Sequence, residues 1–199
     1  MTSVQAVFLD RDGVINREVG LVSRPGQLVF VPGAAEAIHR LNAAHVPAIV
    51  VTNQPVVARG LCSEEALAGI HERFQELLWT AAGAWVDAIF CCPHHPERHH
   101  PDANPLYRGR CRCRKPAIGM LEAARDAFGL DLGRCVLVGD RRRDVLAGRR
   151  AGCRTILVRT GAGGRDMTYE AEPDALVDDL AEAVRLMLDG EWASRQPHG

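Results

Sequence analysis

Short apolar runs alternate with longer amphipathic stretches along this chain. AVFL at 6–9, AIVV at 48–51, AIFC at 88–91, CVLV at 135–138 and TILV at 155–158 are almost free of polar residues, as strands buried on both faces of a parallel sheet are. Between them, 34–44, 64–82, 118–128, 144–151 and 179–188 place apolar residues at helical spacing. Ser63 is a residue type that caps a helix start, and Gly129 a type that ends one. The alternation predicts an α/β three-layer sandwich with a mostly parallel, Rossmann-like sheet covered by helices on both faces.

In such a sheet ligands gather beyond the carboxyl ends of the strands. Asp10-Arg11-Asp12-Gly13 follows the first apolar run, Thr52-Asn53-Gln54 the second, and Gly139-Asp140, with Asp144 close behind, the fourth. One Asp after a strand is ordinary turn chemistry. Several at neighbouring strand ends would crowd Asp10, Asp12, Asp140 and Asp144 into one cleft, where carboxylates repel unless a cation holds them. Hard oxygen donors of this kind suit magnesium, which binds through a few carboxylates and a substrate phosphate.

The third run leads into Cys92-Pro93-His94-His95 and an irregular segment reaching Pro116. Cys92 and His94 lie two apart, as do Cys111 and Cys113, so in extended backbone each pair faces one side. Together they form a Cys3His set, a closed tetrahedral zinc site of the structural kind. Zinc would order a loop that has little apolar content of its own. His95, His99 and His100 are neighbours that could replace His94, whereas Cys91 should point to the opposite face of its strand from Cys92. Cys62, Cys135 and Cys153 read as small core residues.

Composition removes other classes. A chain of 199 residues can bury one core, and we expect a single domain over 1–190, with the zinc loop at about 91–116 and a loose tail at 191–199. A net charge of -1 and 5% aromatic residues provide neither the basic track nor the stacking platform of a nucleic-acid module, nor an anchor for an anionic membrane. No stretch approaches the roughly 20 apolar residues that span a bilayer, and the N-terminus lacks a signal-peptide pattern. Seven cysteines in such a chain read as metal ligands and reduced thiols, so the expectation is a cytoplasmic monomer.

Three further features read as structural. Arg141-Arg142-Arg143 and Arg149-Arg150 look like solvated helix charge. Gly161-Ala162-Gly163-Gly164 fails dinucleotide-site spacing and reads as a mobile loop at the cleft rim. Trp79 and Trp85 read as packing residues.

Taken in order, Asp10-x-Asp12-Gly13-Val14, Thr52-Asn53, Lys115 and Gly139-Asp140-x-x-x-Asp144 resemble the four motifs of haloacid-dehalogenase-like (HAD) phosphatases. The resemblance implies that Asp10 attacks phosphorus to form an aspartyl phosphate. Asp12 would protonate the leaving oxygen and then deprotonate the attacking water. Thr52 and Asn53 would bind phosphoryl oxygens, and Lys115 would offset the crowded negative charge. Magnesium would be held by the Asp10 carboxylate, the Asp12 backbone carbonyl and the Asp140 carboxylate. Asp144 would support them, or serve as the first-turn acid of a helix.

The Cys and His pairs, with Arg114-Lys115-Pro116, Phe8 to Asn16 and Ala58-Arg59-Gly60, narrow the resemblance to the heptose bisphosphate phosphatases over about Val7 to Thr160. It implies hydrolysis of the 7-phosphate of D-glycero-D-manno-heptose 1,7-bisphosphate, in cytoplasmic routes to nucleotide-activated heptose for bacterial surface polysaccharide. It also implies the absence of a large cap domain, and a zinc loop that shapes the pocket. Arg114 would contact the sugar or its second phosphate, a task for which its planar donor fork is suited. Arg59 is a candidate for the same end, or a solvated loop residue.

Many relatives have Ser-Gly where this chain has Pro55-Val56, and proline removes a donor and fixes its torsion, so a stiffer loop with one phosphate contact fewer is expected. Histidinol-phosphate phosphatases share the catalytic motifs and a zinc loop and are the nearest alternative. A DNA end-processing phosphatase and a catalytically silent phosphosugar binder are more distant ones.

Overall fold

The computed structural model of the chain describes residues 4–96, 104–189 and 192. Strands form where the apolar runs predict them: β1 (Ala6–Leu9), β2 (Ala48–Asn53), β3 (Ala88–Cys92), β4 (Cys135–Gly139) and β5 (Arg154–Val158). A further strand, β6 (Ala175–Val177), has no counterpart in the sequence pattern. Three residues are too few for a periodic signal, and β6 is a strand because it pairs with β5. The sheet order is β3-β2-β1-β4-β5-β6, with every neighbouring pair parallel.

The helices are α1 (Ala34–Ala43), α2 (Glu64–Ala82), α3 (Gly119–Phe128), α4 (Arg142–Ala151) and α5 (Leu180–Leu188). Ser63 caps α2 by accepting a hydrogen bond from Ala66 N at 3.0 Å, and Gly129 ends α3 in the left-handed conformation with φ 64°.

Alternation along the strands divides the core between the two faces. Val7, Leu9, Val50, Val136 and Val138 meet Ile38 and Leu41 of α1, Phe74 and Leu78 of α2 and Val184 of α5. On the other face Phe8, Ile49, Val51 and Leu137 meet Met120 and Leu121 of α3 and Ala147 of α4. α4 lies so close to the sheet that a Cβ on Gly148 would stand 2.5 Å from the Thr155 methyl, which excludes any larger residue without displacement.

The tail expectation fails at one residue. Trp192 is 4% exposed, and the Arg154 guanidinium sits 3.7 Å from its ring centroid. An aromatic that can cover a cation and close the α5 face is drawn into the core; residues 191 and 193–199 lie outside the described residues. Trp79 and Trp85 are 64% and 44% exposed, contrary to the packing expectation. They flank the amino-terminal edge of the sheet, at the end opposite the acidic strand ends. Among the described residues no helix is long and apolar enough to cross a membrane.

Chain order turns back at the centre of the sheet: from β1 it runs outward to β2 and β3, then returns to β4 on the other side of β1. The crevice beyond the carboxyl ends of β1 and β4 is therefore where this topology places a ligand.

Candidate active site

Asp10 follows β1 directly and is 3% exposed. Its Oδ1 accepts the Arg11 N–H at 2.8 Å, and its Oδ2 lies 3.2 Å from Lys115 Nζ. Burial opposes ionisation of this carboxyl, yet the charges of Lys115 and Arg143 and the Arg11 N–H outweigh it and hold Asp10 below the usual carboxylate range. Lys115 is buried too, and the carboxylates of Asp10 and Asp144 overcome that burial and raise it.

Asp144 fills both roles read from the sequence. Its Oδ2 accepts the Arg141 N–H at 3.1 Å, capping α4, while its Oδ1 lies 2.8 Å from Lys115 Nζ. One carboxylate thus fixes a helix start and aims the lysine. Gly139 makes room for it, since a Cβ there would stand 2.7 Å from the Asp144 carboxyl carbon.

Carboxylate oxygens of Asp10, Asp140 and Asp144 lie within 4.8 Å of one another. Asp140 Oδ2 accepts the Ala162 N–H at 2.7 Å, whereas Oδ1 is buried without a hydrogen-bond partner. Burial pushes the Asp140 carboxyl up to about 8, and the neighbouring charges of Asp144 and Asp10 add to it. An orphaned buried oxygen within a cluster of acids is the signature of a cation site, and the all-oxygen donor set fits magnesium. The loop at Gly161 is pinned here, contrary to the mobile rim expected: besides the Ala162 bond, Gly164 N donates to the Asp140 carbonyl at 2.8 Å.

Asp12 is turned toward a different set of donors. Arg11 Nε and Nη2 reach Asp12 Oδ1 at 3.2 and 3.0 Å, Asn16 Nδ2 reaches Oδ1 at 2.7 Å, and Gln54 Nε2 reaches Oδ2 at 2.6 Å. Gln54 Nε2 also donates to Thr52 Oγ1 at 2.9 Å. Gln54 and Asn16 therefore orient Asp12, a task that sequence reasoning did not give them. Their place beside the motif residues was the available signal.

Asn53 stands on the cavity wall with Asp10 and Thr52. Its Nδ2 donates to the Lys115 carbonyl at 3.1 Å and its Oδ1 accepts the Lys115 N–H at 3.0 Å. The amide therefore positions the lysine backbone, a task beyond the phosphoryl contact expected of it.

Asp10, Asp12, Thr52, Arg59, Arg114 and Arg143 line one cavity of about 300 Å³. Pro55 also faces it, and the Pro55 carbonyl accepts the Arg59 N–H at 2.9 Å, closing a tight turn that carries Arg59. Arg114 Nη1 donates to the His94 carbonyl at 2.9 Å, which ties it to the Cys and His loop.

Cys92, His94, Cys111 and Cys113 bring their ligand atoms within 4.8 Å of one another. Cys113 Sγ lies 2.9 Å from Cys92 Sγ and 3.5 Å from His94 Nδ1, and Cys92 Sγ lies 3.5 Å from Cys111 Sγ. All of these cysteines are free. Burial raises the Cys92 thiol strongly, with further pressure from Cys113. Convergent sulfurs and one imidazole fit zinc. His95 lines the catalytic cavity instead, and His99 and His100 lie outside the described residues. Cys91 packs with Val56 and Val57, away from Cys92, as alternation predicts.

Comparison with known proteins now places the chain. The HAD-hydrolase-like family model matches residues 112–183. The chain is 43% identical over 185 residues to D-glycero-D-manno-heptose-1,7-bisphosphate 7-phosphatase of Thermosynechococcus vestitus, covering 90% of this chain and 93% of that one. It is 42% identical to D-glycero-beta-D-manno-heptose-1,7-bisphosphate 7-phosphatase of Vibrio cholerae, covering 90% and 92%. The chain belongs to the heptose bisphosphate phosphatase family. A crystal structure of the Bordetella bronchiseptica D,D-heptose 1,7-bisphosphate phosphatase, complexed with magnesium and phosphate, superposes with a TM-score of 0.81 at 34% identity, covering 93% of this chain and 98% of that one. The fold is HAD-like, and the protein is a phosphatase of a family that works with magnesium. Within this phosphatase Lys115 follows the Cys3His loop directly and joins it to the acidic strand ends through Asp10 and Asp144, while Arg114 is held within the loop by the His94 carbonyl.

Proposed function

We propose that this phosphatase removes the 7-phosphate of D-glycero-D-manno-heptose 1,7-bisphosphate through an aspartyl-phosphate intermediate. The observation that carries the reading is the shared cavity: Asp10 and Asp12 at one end, and Arg114, anchored to the Cys3His loop, facing the same space. A bisphosphate needs both a reacting end and a second cationic contact. The names of the relatives supply the sugar.

In the first step an Asp10 carboxylate oxygen forms a bond to phosphorus while the bond from phosphorus to the sugar oxygen breaks. Asp12 gives its proton to that leaving oxygen. In the second step water attacks the aspartyl phosphate, its proton passes to Asp12, and inorganic phosphate leaves with the Asp10 carboxylate restored. Lys115, aimed by Asp144 and by the Asn53 amide, faces the Asp10 oxygen and offsets charge on the phosphoryl group. Thr52, held by Gln54, would bind a phosphoryl oxygen.

Asp10, Asp140 and the Asp12 backbone carbonyl would hold magnesium, which when bound neutralises phosphoryl charge. Zinc held by Cys92, His94, Cys111 and Cys113 would order the loop that carries Arg114. Reduced cysteines on these elements suit a cytoplasmic enzyme.

The test is phosphate release from both anomers of the heptose bisphosphate and from histidinol phosphate, with magnesium and with a chelator. Preference for one heptose anomer, lost on chelation, is the expected result. Turnover confined to histidinol phosphate would overturn the assigned substrate.

A further inference from the structure

The arginine run 141–143 separates once it is folded. Successive residues of a helix point about 100° apart, so three adjacent arginines at the start of α4 cannot share one environment. Arg141 Nη2 pairs with Glu18 at 2.9 Å. Arg142 Nε donates to the Gly164 carbonyl at 3.1 Å, and its Nη1 lies 3.4 Å from Glu172. Arg143 lines the catalytic cavity with Asp10 and Arg114, a wall to which Arg141 also belongs, and differs from its two neighbours in its partners. Its Nε is buried and meets no hydrogen-bond acceptor, and no carboxylate pairs with its guanidinium, among the described residues.

A guanidinium is rarely left facing a cavity without an anion, since its donors are costly to bury unsatisfied. Arg114, the neighbouring cation, already has the His94 carbonyl. Two guanidinium groups converging on one space favour an anion between or beside them.

We propose that Arg143 is a substrate-contacting residue that grips the phosphoryl group being transferred, as a further cation of the reacting end. The inference rests on the phosphatase reading above and adds a residue to that site. Geometry favours the reacting phosphoryl over the distal phosphate. Arg143 adjoins Asp144 in the chain, and Asp144 Oδ1 lies 2.8 Å from Lys115 Nζ, itself 3.2 Å from the attacking Asp10 carboxylate, so Arg143 enters the cavity from the element that supports the nucleophile. Arg114 enters it from the Cys and His loop, where the His94 carbonyl holds it.

The test uses Arg143→Gln and Arg143→Lys in the magnesium-loaded full chain, with inorganic phosphate as the probe. Competitive inhibition by phosphate should weaken roughly ten- to a hundred-fold in Arg143→Gln, the worth of one charge-assisted contact. The fall in kcat/KM should be of similar size on the heptose bisphosphate and on a small aryl monophosphate, and Arg143→Lys should recover part of it. Phosphate inhibition is read whatever sugar the enzyme prefers, so a wrong substrate assignment would leave this result intact. Unchanged phosphate inhibition with a loss confined to the bisphosphate would move Arg143 to the distal phosphate and overturn the proposal. Unchanged values throughout would return it to the solvated helix surface. Should Arg143→Gln unfold, Arg143→Lys decides the matter by the same inhibition measurement, a single amine being unable to reproduce two parallel donors.

Discussion

Arg11 is the largest side chain that is fully buried, and it lies between the nucleophile and the acid in sequence. Its backbone N–H serves Asp10 while its side chain forks onto Asp12. A buried cation of this kind is tolerated only with its partner in place, so Arg11→Ala should cost about 3–5 kcal/mol of stability; urea unfolding would measure it, and a midpoint equal to that of the parent would show that Asp12 needs no such clamp. Asp10→Asn should instead lower turnover by roughly four orders of magnitude or more while the fold persists. Phosphate-release assays beside circular dichroism would separate the two, and a variant that keeps activity would remove Asp10 from the nucleophile's role. Both residues stand in the DxD pattern read from the sequence. What the pattern hides is direction: nothing in it says that the Asn53 amide turns to the Lys115 backbone or that Gln54 joins Thr52 to Asp12.

At the scale of elements, the Cys3His loop is a long connection that, on the proposed reading, zinc would stabilise more than core does. Its backbone is drawn together by His95 N donating to Tyr107 O at 3.1 Å and Gly119 N to Arg112 O at 2.9 Å, and its exposed Leu106 contributes no burial. Cys111→Ala should therefore reduce zinc content, lower the unfolding midpoint and weaken substrate binding through Arg114, which rests on the His94 carbonyl. Metal analysis with thermal unfolding checks it, and full zinc retention would mean another residue completes the set. Strands and helices were legible because their faces are continuous. β6 was not, being three residues whose strand character comes only from β5.

For the molecule as a whole, acid sensitivity should have an identifiable component in α2. Burial of His71, aided by the nearby Arg11 charge, lowers its pKa from 6.5 to about 4. The unfolded chain then binds the proton first as pH falls. Stability from this group is complete above pH 6.5 and is lost progressively toward pH 4, by up to about 3 kcal/mol. Urea midpoints measured across that window should slope less steeply in His71→Gln than in the parent chain; parallel slopes would assign the acid sensitivity to the carboxylates alone. The organisation of charge across the molecule points the same way, with acidic strand ends matched by Lys115, Arg11 and the arginines of the cavity wall.

The sequence by itself determined the parallel α/β architecture, the strand ends that carry the acids, and the paired Cys and His ligands. Each is written in local periodicity or in spacing of a few residues, which the backbone converts directly into a face or a pair. Only the tertiary structure decided that Asp144 caps α4 and aims Lys115 at once, that Trp192 closes the core, and that Arg141 and Arg143 both line the cavity, Arg141 paired with Glu18, while Arg142 turns to Glu172. These depend on which distant segment stands opposite a side chain. A one-dimensional pattern contains the residue type but not its partner, and for charged groups the partner decides the role.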